Sequence, residues 1–223
     1  MAYILQIETS TTNCSVAISK KGETIAVKEV SNGYSHAENL HVFIKDILAE
    51  NKLEYTDLNA IAVSKGPGSY TGLRIGVSTA KGLCFSLDIP LIAIETLKVL
   101  AHQVKEEGGF IVPMIDARRM EAYTKVYDTK YKEVREIEAQ ILDSTSFQEY
   151  LTKGSVVFIG NKTEKTKEVI SHENATFIES VPSAKEMSML AYAKYKKNHI
   201  EDVAYFEPYY LKDFLVTPAK KKV

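Results

Sequence analysis

The chain has 223 residues, of which 45% are hydrophobic and 26% charged, which fits one large domain or two small, closely packed ones. The net charge of −1 excludes a global field that would draw the protein to nucleic acid or to a membrane, and no apolar run approaches the roughly 20 residues that a membrane span needs. Cys14 and Cys84 lie in apolar segments, and the first residues lack the basic region of a signal peptide, so we expect buried free thiols and a cytoplasmic chain.

The first half of the chain alternates short apolar runs with amphipathic stretches. Ser35 followed by Glu38 forms a capping-box pattern, and a helical apolar stripe follows it. Lys21-Gly22 separates two strand-like runs and predicts a hairpin. The predicted elements are, in chain order, strands over 3–9, 13–19 and 23–30, a helix from residue 35, a strand over 60–64, a helix over 71–87, a strand over 91–94 and a helix over 97–106.

The second half repeats this order of elements without repeating the residues. Its predicted elements are strands over 110–116, 121–128 and 133–142, a short helix with the capping box Thr145 and Gln148, a strand over 155–160, a helix over 163–171, a strand over 175–178 and a helix from the capping box Ser183 and Glu186 to about 197. Two sheets of three or more strands, each crossed by helices, predict an α/β chain of two related lobes. The predicted domains are an N-terminal lobe over 1–107, a C-terminal lobe over 108–213 and a basic flexible tail over 214–223.

The segment GPGSYTGLRIGVSTAKG, residues 66–82, joins a predicted strand to a predicted helix, where phosphate-binding loops lie. It does not match a Walker loop, because the second glycine of that pattern would fall on Thr71 or Leu73, and G-x-G-x-x-G is also absent. The turn is therefore consistent either with an anion at the N-terminus of the helix or with a tight connection in which the glycines take positive φ.

Within that helix, Gly72, Gly76 and Ala80 recur every four residues and leave one face without side chains. Glycine inside a helix costs about 1 kcal/mol relative to alanine, so this face needs a packing reason. Close packing within the lobe and docking of a partner helix both remain open. Under the docking alternative, Gly76→Leu leaves the lobe folded and blocks the partner.

The residues give no pattern of catalytic chemistry. His36 and His41 lie on one predicted helix about 140° apart, so a single metal ion cannot easily take both, and we expect both at the surface. Glu8 and Asp116 each follow a central strand, where carboxylates serve either in catalysis or as turn caps. The turn-capping role is favoured for both.

Several stretches together resemble the bacterial TsaB (YeaZ) family over residues 3–213. They are IETSTTNCSVAI, SHAENL, AVSKGPGSYTGLRIGVSTAKGL, IPLIAIETL, MIDARRMEAY and EPYYL. The resemblance implies an actin-like, Hsp70-like (ASKHA) ATPase-type fold with two related lobes, in agreement with the doubled order of elements. It also implies a role in making N6-threonylcarbamoyladenosine at the adenosine 3′ of the anticodon, as the partner of the catalytic subunit TsaD, with the small ATPase TsaE joining the assembly.

The sequence departs from what the resemblance implies for TsaD, whose first long helix carries an H-x-x-x-H metal pair. Aligned through His36, the second ligand position here is Leu40, so we expect no metal, no catalytic residue and no transfer by this chain alone. The nucleotide loop of the superfold usually has an Asp followed by small residues, often glycine, and here it reads Glu8-Thr9-Ser10-Thr11-Thr12. No tightly bound cofactor is expected, and ATP or ADP would lie at the subunit junction.

The resemblance further implies that the first two helices dock on the same helices of TsaD, or on a second copy when TsaD is absent. The predicted partner interface is Leu40, Phe43, Ile47, Gly72, Arg74, Gly76 and Ala80. The predicted nucleotide or anion contacts are Thr9, Ser10, Thr11, Gly66, Gly68 and Ser69. These expectations describe a partner subunit that reaches tRNA through the complex and binds no membrane. The alternatives are a glycoprotease-like metallohydrolase and a free-standing ATP-binding enzyme of the same fold.

Overall fold

The computed structural model describes residues 2–31, 36–106 and 108–212, which contain two sheets of five strands each. The predicted N-cap Ser35 and the predicted tail over 214–223 lie outside the described residues. Among the residues described, no helix is long and apolar enough to cross a membrane.

The first sheet has the strand order β3-β2-β1-β4-β5. The strands are β1 (Tyr3–Glu8), β2 (Cys14–Lys20), β3 (Glu23–Val30), β4 (Leu58–Gly66) and β5 (Leu91–Glu95). The first three strands pair antiparallel through tight turns, and β4 and β5 run parallel to β1. The central strand β1 is apolar on both faces, with Ile4 pointing to one side and Leu5 and Ile7 to the other, because helices cover both sides of the sheet.

The second sheet repeats this connectivity, with the order β10-β9-β6-β7-β8. The strands are β6 (Phe110–Asp116), β7 (Glu121–Asp128), β8 (Glu133–Ile141), β9 (Val156–Gly160) and β10 (Ala175–Glu179). The strands β6, β7 and β8 again pair antiparallel, and β9 and β10 run parallel to β6. This duplication confirms the predicted α/β fold of two related halves, each with its own sheet and helices.

Six α-helices connect and cover the strands of the described residues. They are α1 (His36–Glu50), α2 (Tyr70–Leu87), α3 (Thr96–Ala101), α4 (Gln148–Leu151), α5 (Thr163–Val169) and α6 (Met187–Lys196). The helices α1 and α2 lie on one face of the first sheet and form a core with it, through residues such as Ile44 and Val77. The predicted capping box at Thr145 does not form, because Thr145 bonds to Asp143 and α4 begins after Phe147 without a side-chain cap.

The last helix of the second half packs on the first sheet, and the last helix of the first half lies between the two sheets, so the predicted domain boundary stays a prediction. Leu97 and Leu100 of α3 pack against β6 and β9 of the second sheet. Met187 and Ala191 of α6 pack against the first sheet, on the face opposite α1 and α2. The chain order predicts which helix follows which strand, but it does not predict which sheet the apolar face of that helix covers.

Most of the described end of the chain packs on the N-terminal lobe, and its last described residue, Lys212, pairs with Glu121 of β7 in the second half. Glu201 pairs with Leu91 at the edge strand β5, and Phe206 packs against the core beneath α2. The backbone N–H of Tyr209 then donates to the carbonyl of Lys65, at 2.7 Å. We call residues 201–212 the return segment, since they bring the chain back to the N-terminal lobe.

Candidate functional site

The turn after β1 and the glycine turn after β4 are in direct contact. The backbone N–H of Ser69 donates to the carbonyl oxygen of Ser10, at 2.6 Å. Gly68 is required here, because a Cβ at this position would collide with the same carbonyl of Ser10. The Ser69 side chain also caps α2 by accepting from the N–H of Gly72. The sequence therefore builds a tight strand-to-helix turn, the simpler of the two alternatives.

The six predicted anion contacts thus come together, but they bond to the protein itself. Thr9 donates its hydroxyl to the carbonyl of Gly72 at 2.8 Å, and Thr9 and Ser10 are buried. Gly66 has φ +113° and lies against the backbone carbonyl of Tyr209 from the return segment. The Ser69 N–H is already used, whereas the buried Ser10 hydroxyl bonds to no described residue. An anion bound by them remains a prediction.

The carboxyl group of Glu8 holds the turn after β1 from inside the protein. Its Oε1 accepts from the Ser10 N–H at 2.7 Å and from the Ser64 hydroxyl at 2.9 Å, while Oε2 is buried and bonds to no residue that the structure describes. Burial raises the pKa of this carboxyl group, and the hydrogen bonds from Ser10 and Ser64 offset part of that effect. Glu8 is a turn cap, as the sequence favours.

Asp116 occupies the equivalent position at the end of β6 and caps its turn in a similar way. Its Oδ1 accepts from the N–H of Arg118 at 2.9 Å and from the ammonium of Lys162 at 2.5 Å. Arg118 and Arg119 take positive φ values of 74° and 55°, which this hairpin turn requires. The bonds that fix Asp116 support the turn-capping role here too.

His36 is buried, which corrects the expectation that it lies at the surface. Its Nε2 bonds to the carbonyl oxygen of Thr11 at 2.7 Å, and burial lowers the pKa of the imidazole. His41 is exposed on another face of α1, and Leu40 lies fully inside the core. The described residues contain no group of three His, Cys, Asp or Glu side chains that could hold a metal ion.

The small-residue face of α2 packs inside the lobe, which corrects the predicted groove for a partner helix. A Cβ on Gly72 would collide with the carbonyl of Thr9, and one on Gly76 would collide with the Thr9 hydroxyl. Ala80 is fully buried beside them. Leu40 and Ile47 of α1 are buried in the same core. These five residues cannot meet another chain without opening the lobe.

Two residues of the predicted interface lie elsewhere. Phe43 is partly buried beside the core, and Arg74 is exposed, where its guanidinium stacks on Tyr70 at 4.3 Å and its Nε donates to the hydroxyl of Tyr210. Of the seven predicted interface residues, only Arg74 is therefore fully available on the outer surface.

The outer surface of α1 and α2 carries residues that the sequence reasoning missed. Phe85 is 84% exposed and Val42 is 51% exposed. Ser78 and Gly82 are exposed on α2, and a Cβ on Gly82 would meet no atom within 4 Å. We call Val42, Arg74, Ser78, Gly82 and Phe85 the outer-helix face. The signal in the sequence was Gly82 itself, a helical glycine that lies off the Gly72–Gly76–Ala80 row.

Comparison with known proteins gives one matching family model and many relatives. The family model of TsaD, tRNA N6-adenosine threonylcarbamoyltransferase, matches residues 31–220. The tRNA threonylcarbamoyladenosine biosynthesis protein TsaB of Bacillus subtilis is 34% identical over 170 residues, which cover 75% of this chain and 74% of that protein. The TsaB protein of Haemophilus influenzae is 30% identical over 222 residues, which cover 94% of this chain and 93% of that protein.

A solved structure from Pseudomonas aeruginosa has the same fold. It is described as an uncharacterized protein with similarity to peptidase YeaZ, is 25% identical, and superposes with a TM-score of 0.84. The superposition covers 95% of this chain and 100% of that one. The likeness thus extends over both lobes.

Proposed function

The chain belongs to the TsaB (YeaZ) family of tRNA threonylcarbamoyladenosine biosynthesis proteins, and on that premise we propose that it is the non-catalytic partner of a TsaD-like transferase. The main support for the proposal is that the side chains of α1 at the positions of the metal pair face the core of the protein. Leu40 is fully buried, and His36 bonds to the carbonyl of Thr11. A helix that places these residues inside has no pair of imidazoles to offer a metal ion, so the transfer chemistry belongs to the partner subunit.

The docking surface in this proposal is the outer-helix face. Ser78 and Gly82 leave a shallow gap on α2, and Phe85 stands beside it in solvent. A partner helix that lies in the gap covers Phe85, and the full burial of such a side chain contributes about 1.5–3 kcal/mol. Exposed aromatic side chains of this kind are typical anchors of protein interfaces.

The occupant of this face is the matching helix pair of the TsaD-like subunit. A second copy of this chain uses the same face when that subunit is absent, because one face that pairs with itself gives a two-fold dimer. A TsaE-like ATPase joins the assembly, and tRNA is reached through the complex. ATP or ADP binds at the subunit junction and not to the free chain, since the Ser69 N–H and the Ser10 carbonyl already bond to each other.

The test of the function is a reconstituted transfer assay. It contains tRNA, the threonylcarbamoyl-adenylate synthase, TsaD and TsaE from the same organism, with and without this chain, and it counts modified adenosine. We expect modification only when both this chain and TsaD are present. If this chain modified tRNA without TsaD, or if the purified chain contained a stoichiometric metal ion, the result would indicate that the chain is itself an enzyme.

The test of the docking surface is Phe85→Ser, with Ile141→Ser as the matched control. Ile141 is also an exposed apolar side chain, 72% exposed, but it lies on β8 of the second sheet. We expect Phe85→Ser to weaken binding to the TsaD-like subunit by about tenfold or more, as the loss of a buried anchor does. Isothermal titration measures both variants. Equal affinity of Phe85→Ser and the wild type places the interface on another surface.

A further inference from the structure

A pocket of about 240 Å³ opens between α3 and the C-terminal end of α6, beside the edge strand β5. Ile94, Leu190 and Ala193 give it an apolar wall. Four basic side chains surround this wall: Lys98, Lys194, Lys197 and His199. Because α6 covers the face of the first sheet opposite α1 and α2, the pocket lies away from the outer-helix face.

The ammonium groups of this pocket are only partly satisfied by the protein. Lys98 is half-buried, yet its ammonium forms no hydrogen bond or ion pair with any residue that the structure describes. Lys194 is also half-buried and donates to the carbonyl of Ala93 at 2.7 Å, which leaves further N–H groups. Lys197 is exposed at the end of α6. Half-buried ammonium groups that lack protein acceptors need water or a bound anion.

The local charge balance is positive, although the whole chain has a net charge of −1. Glu95 also lines the pocket, and its carboxylate shares the ammonium of Lys125 with Glu133, which leaves one negative charge against the lysines of the pocket. Burial lowers the pKa of Lys194, and repulsion from Lys65 and Lys98 lowers it further, against the attraction of Glu201 and Glu95. Lys194 and Lys98 therefore repel each other, and an anion between them would offset that repulsion.

We propose that this pocket binds the phosphate group of a small phosphorylated molecule. Several lysines around one pocket suit a phosphate, to which lysine binds as a compact charge with several donors. The concave shape and the apolar wall suit a small molecule with a phosphate at one end better than an extended RNA backbone. The volume lies below the roughly 300–1,000 Å³ of pockets that enclose a larger ligand, so it holds the phosphate and a short part of the molecule.

The experiment titrates pyrophosphate and AMP separately into the isolated full-length chain at low salt, by isothermal titration calorimetry. The variants are Lys98→Met and Lys197→Met, and Lys165→Met on the exposed side of α5 is the matched control for loss of one charge. We expect saturable binding of at least one ligand, with affinity about tenfold lower in each pocket variant, as removal of one charge-assisted contact predicts. The control keeps the affinity of the wild type.

Three outcomes would overturn the proposal. The first is no saturable binding of either ligand, and the second is an equal loss of affinity in Lys165→Met. The third comes from a parallel titration with tRNA: if only tRNA binds, and the pocket variants weaken it, the lysines contact RNA backbone instead. Because the chain is tested alone, none of these results depends on docking to a TsaD-like subunit.

Discussion

Two glycines of α2 have opposite environments. A Cβ on Gly76 collides with the hydroxyl of Thr9, whereas a Cβ on Gly82 meets open space. We expect Gly76→Ala to destabilise the fold by about 1–3 kcal/mol, because the Thr9 hydroxyl must turn away and lose its hydrogen bond to the carbonyl of Gly72. We expect Gly82→Ala to stabilise it by up to about 1 kcal/mol, through helix propensity alone. Urea denaturation of both variants measures the difference, and similar free energies of unfolding would contradict the assignment of Gly76 to internal packing.

The buried carboxyl group of Glu8 makes the stability depend on pH. Burial raises the folded-state pKa above the ordinary value of 4.5, so between these two values the folded protein holds a proton that the unfolded chain has lost. The wild type therefore loses stability as the pH rises through this interval. Glu8→Gln keeps an acceptor for Ser10 and Ser64 but cannot ionise.

We expect the free energy of unfolding of Glu8→Gln, relative to the wild type, to increase as the pH rises from 4.5 toward 8. Urea denaturation at a series of pH values measures this difference. A difference that stays constant over the series means that Glu8 is not protonated more readily in the folded state.

The helices and strands can be predicted from the local sequence pattern, but the parts of the chain against which they pack cannot. The alternation of apolar residues in the strands and the apolar stripe of α1 can be read from residues close in sequence. Both halves of the chain show the expected order of strands and helices. The row Gly72–Gly76–Ala80 indicates that other backbone or side-chain atoms approach this face of α2 closely. The pattern does not show whether those atoms belong to a turn of the same lobe or to a helix of another chain, because both need small residues. The burial of His36 and the packing of α6 on the first sheet likewise depend on contacts distant in sequence.

The return segment is attached to α2 by one partly buried side chain and by two of its backbone carbonyls. Phe206 packs against the core, and Lys81 of α2 donates to the carbonyls of Ala204 and Phe206. Its neighbour Tyr205 is 85% exposed. We expect Phe206→Ala to lower the free energy of unfolding by about 1–2 kcal/mol, as the loss of a partly buried aromatic ring does. Tyr205→Ala is the control, with an expected change within about 0.5 kcal/mol.

Thermal and urea unfolding of the two variants test this attachment. If Tyr205→Ala costs as much as Phe206→Ala, the segment is held by its exposed ring and not by the core.

Among the described residues, the two lobes are joined by packing of the last helix of each half and by ionic contacts, of which the pair of Lys125 and Glu95 is the more buried and the pair of Lys212 and Glu121 the more exposed. The helix α3 packs on the second sheet, and the helix α6 packs on the first sheet. Lys125 of β7 bonds to Glu95, which ends β5, and to Glu133 of β8, at 2.8 and 2.6 Å. The Lys125 side chain is almost completely buried, whereas the carboxylates of Glu95 and Glu133 are partly open to water.

Removal of Lys125 should therefore weaken the whole molecule in a pH-dependent way. Burial alone would raise the pKa of Glu95, but the hydrogen bond and charge of Lys125 bring it below its ordinary value of 4.5. Stability from this pair is thus present above pH 4.5 and is lost as the pH falls through the lower, folded-state pKa. We expect Lys125→Met to cost about 1–2 kcal/mol at pH 7, with a smaller difference from the wild type near pH 3.

The matched control for this variant is Lys28→Met, which breaks the exposed pair of Lys28 and Glu50 within the first lobe. We expect it to cost less than about 1 kcal/mol at pH 7, because water screens an exposed pair. Urea denaturation at pH 7 and near pH 3 measures the free energy of unfolding of both variants. A pH-independent cost of Lys125→Met would mean that its buried methylene groups, and not its charge, join the lobes. A cost equal to that of Lys28→Met would mean that the packing of α3 and α6 holds the lobes together without this ionic contact.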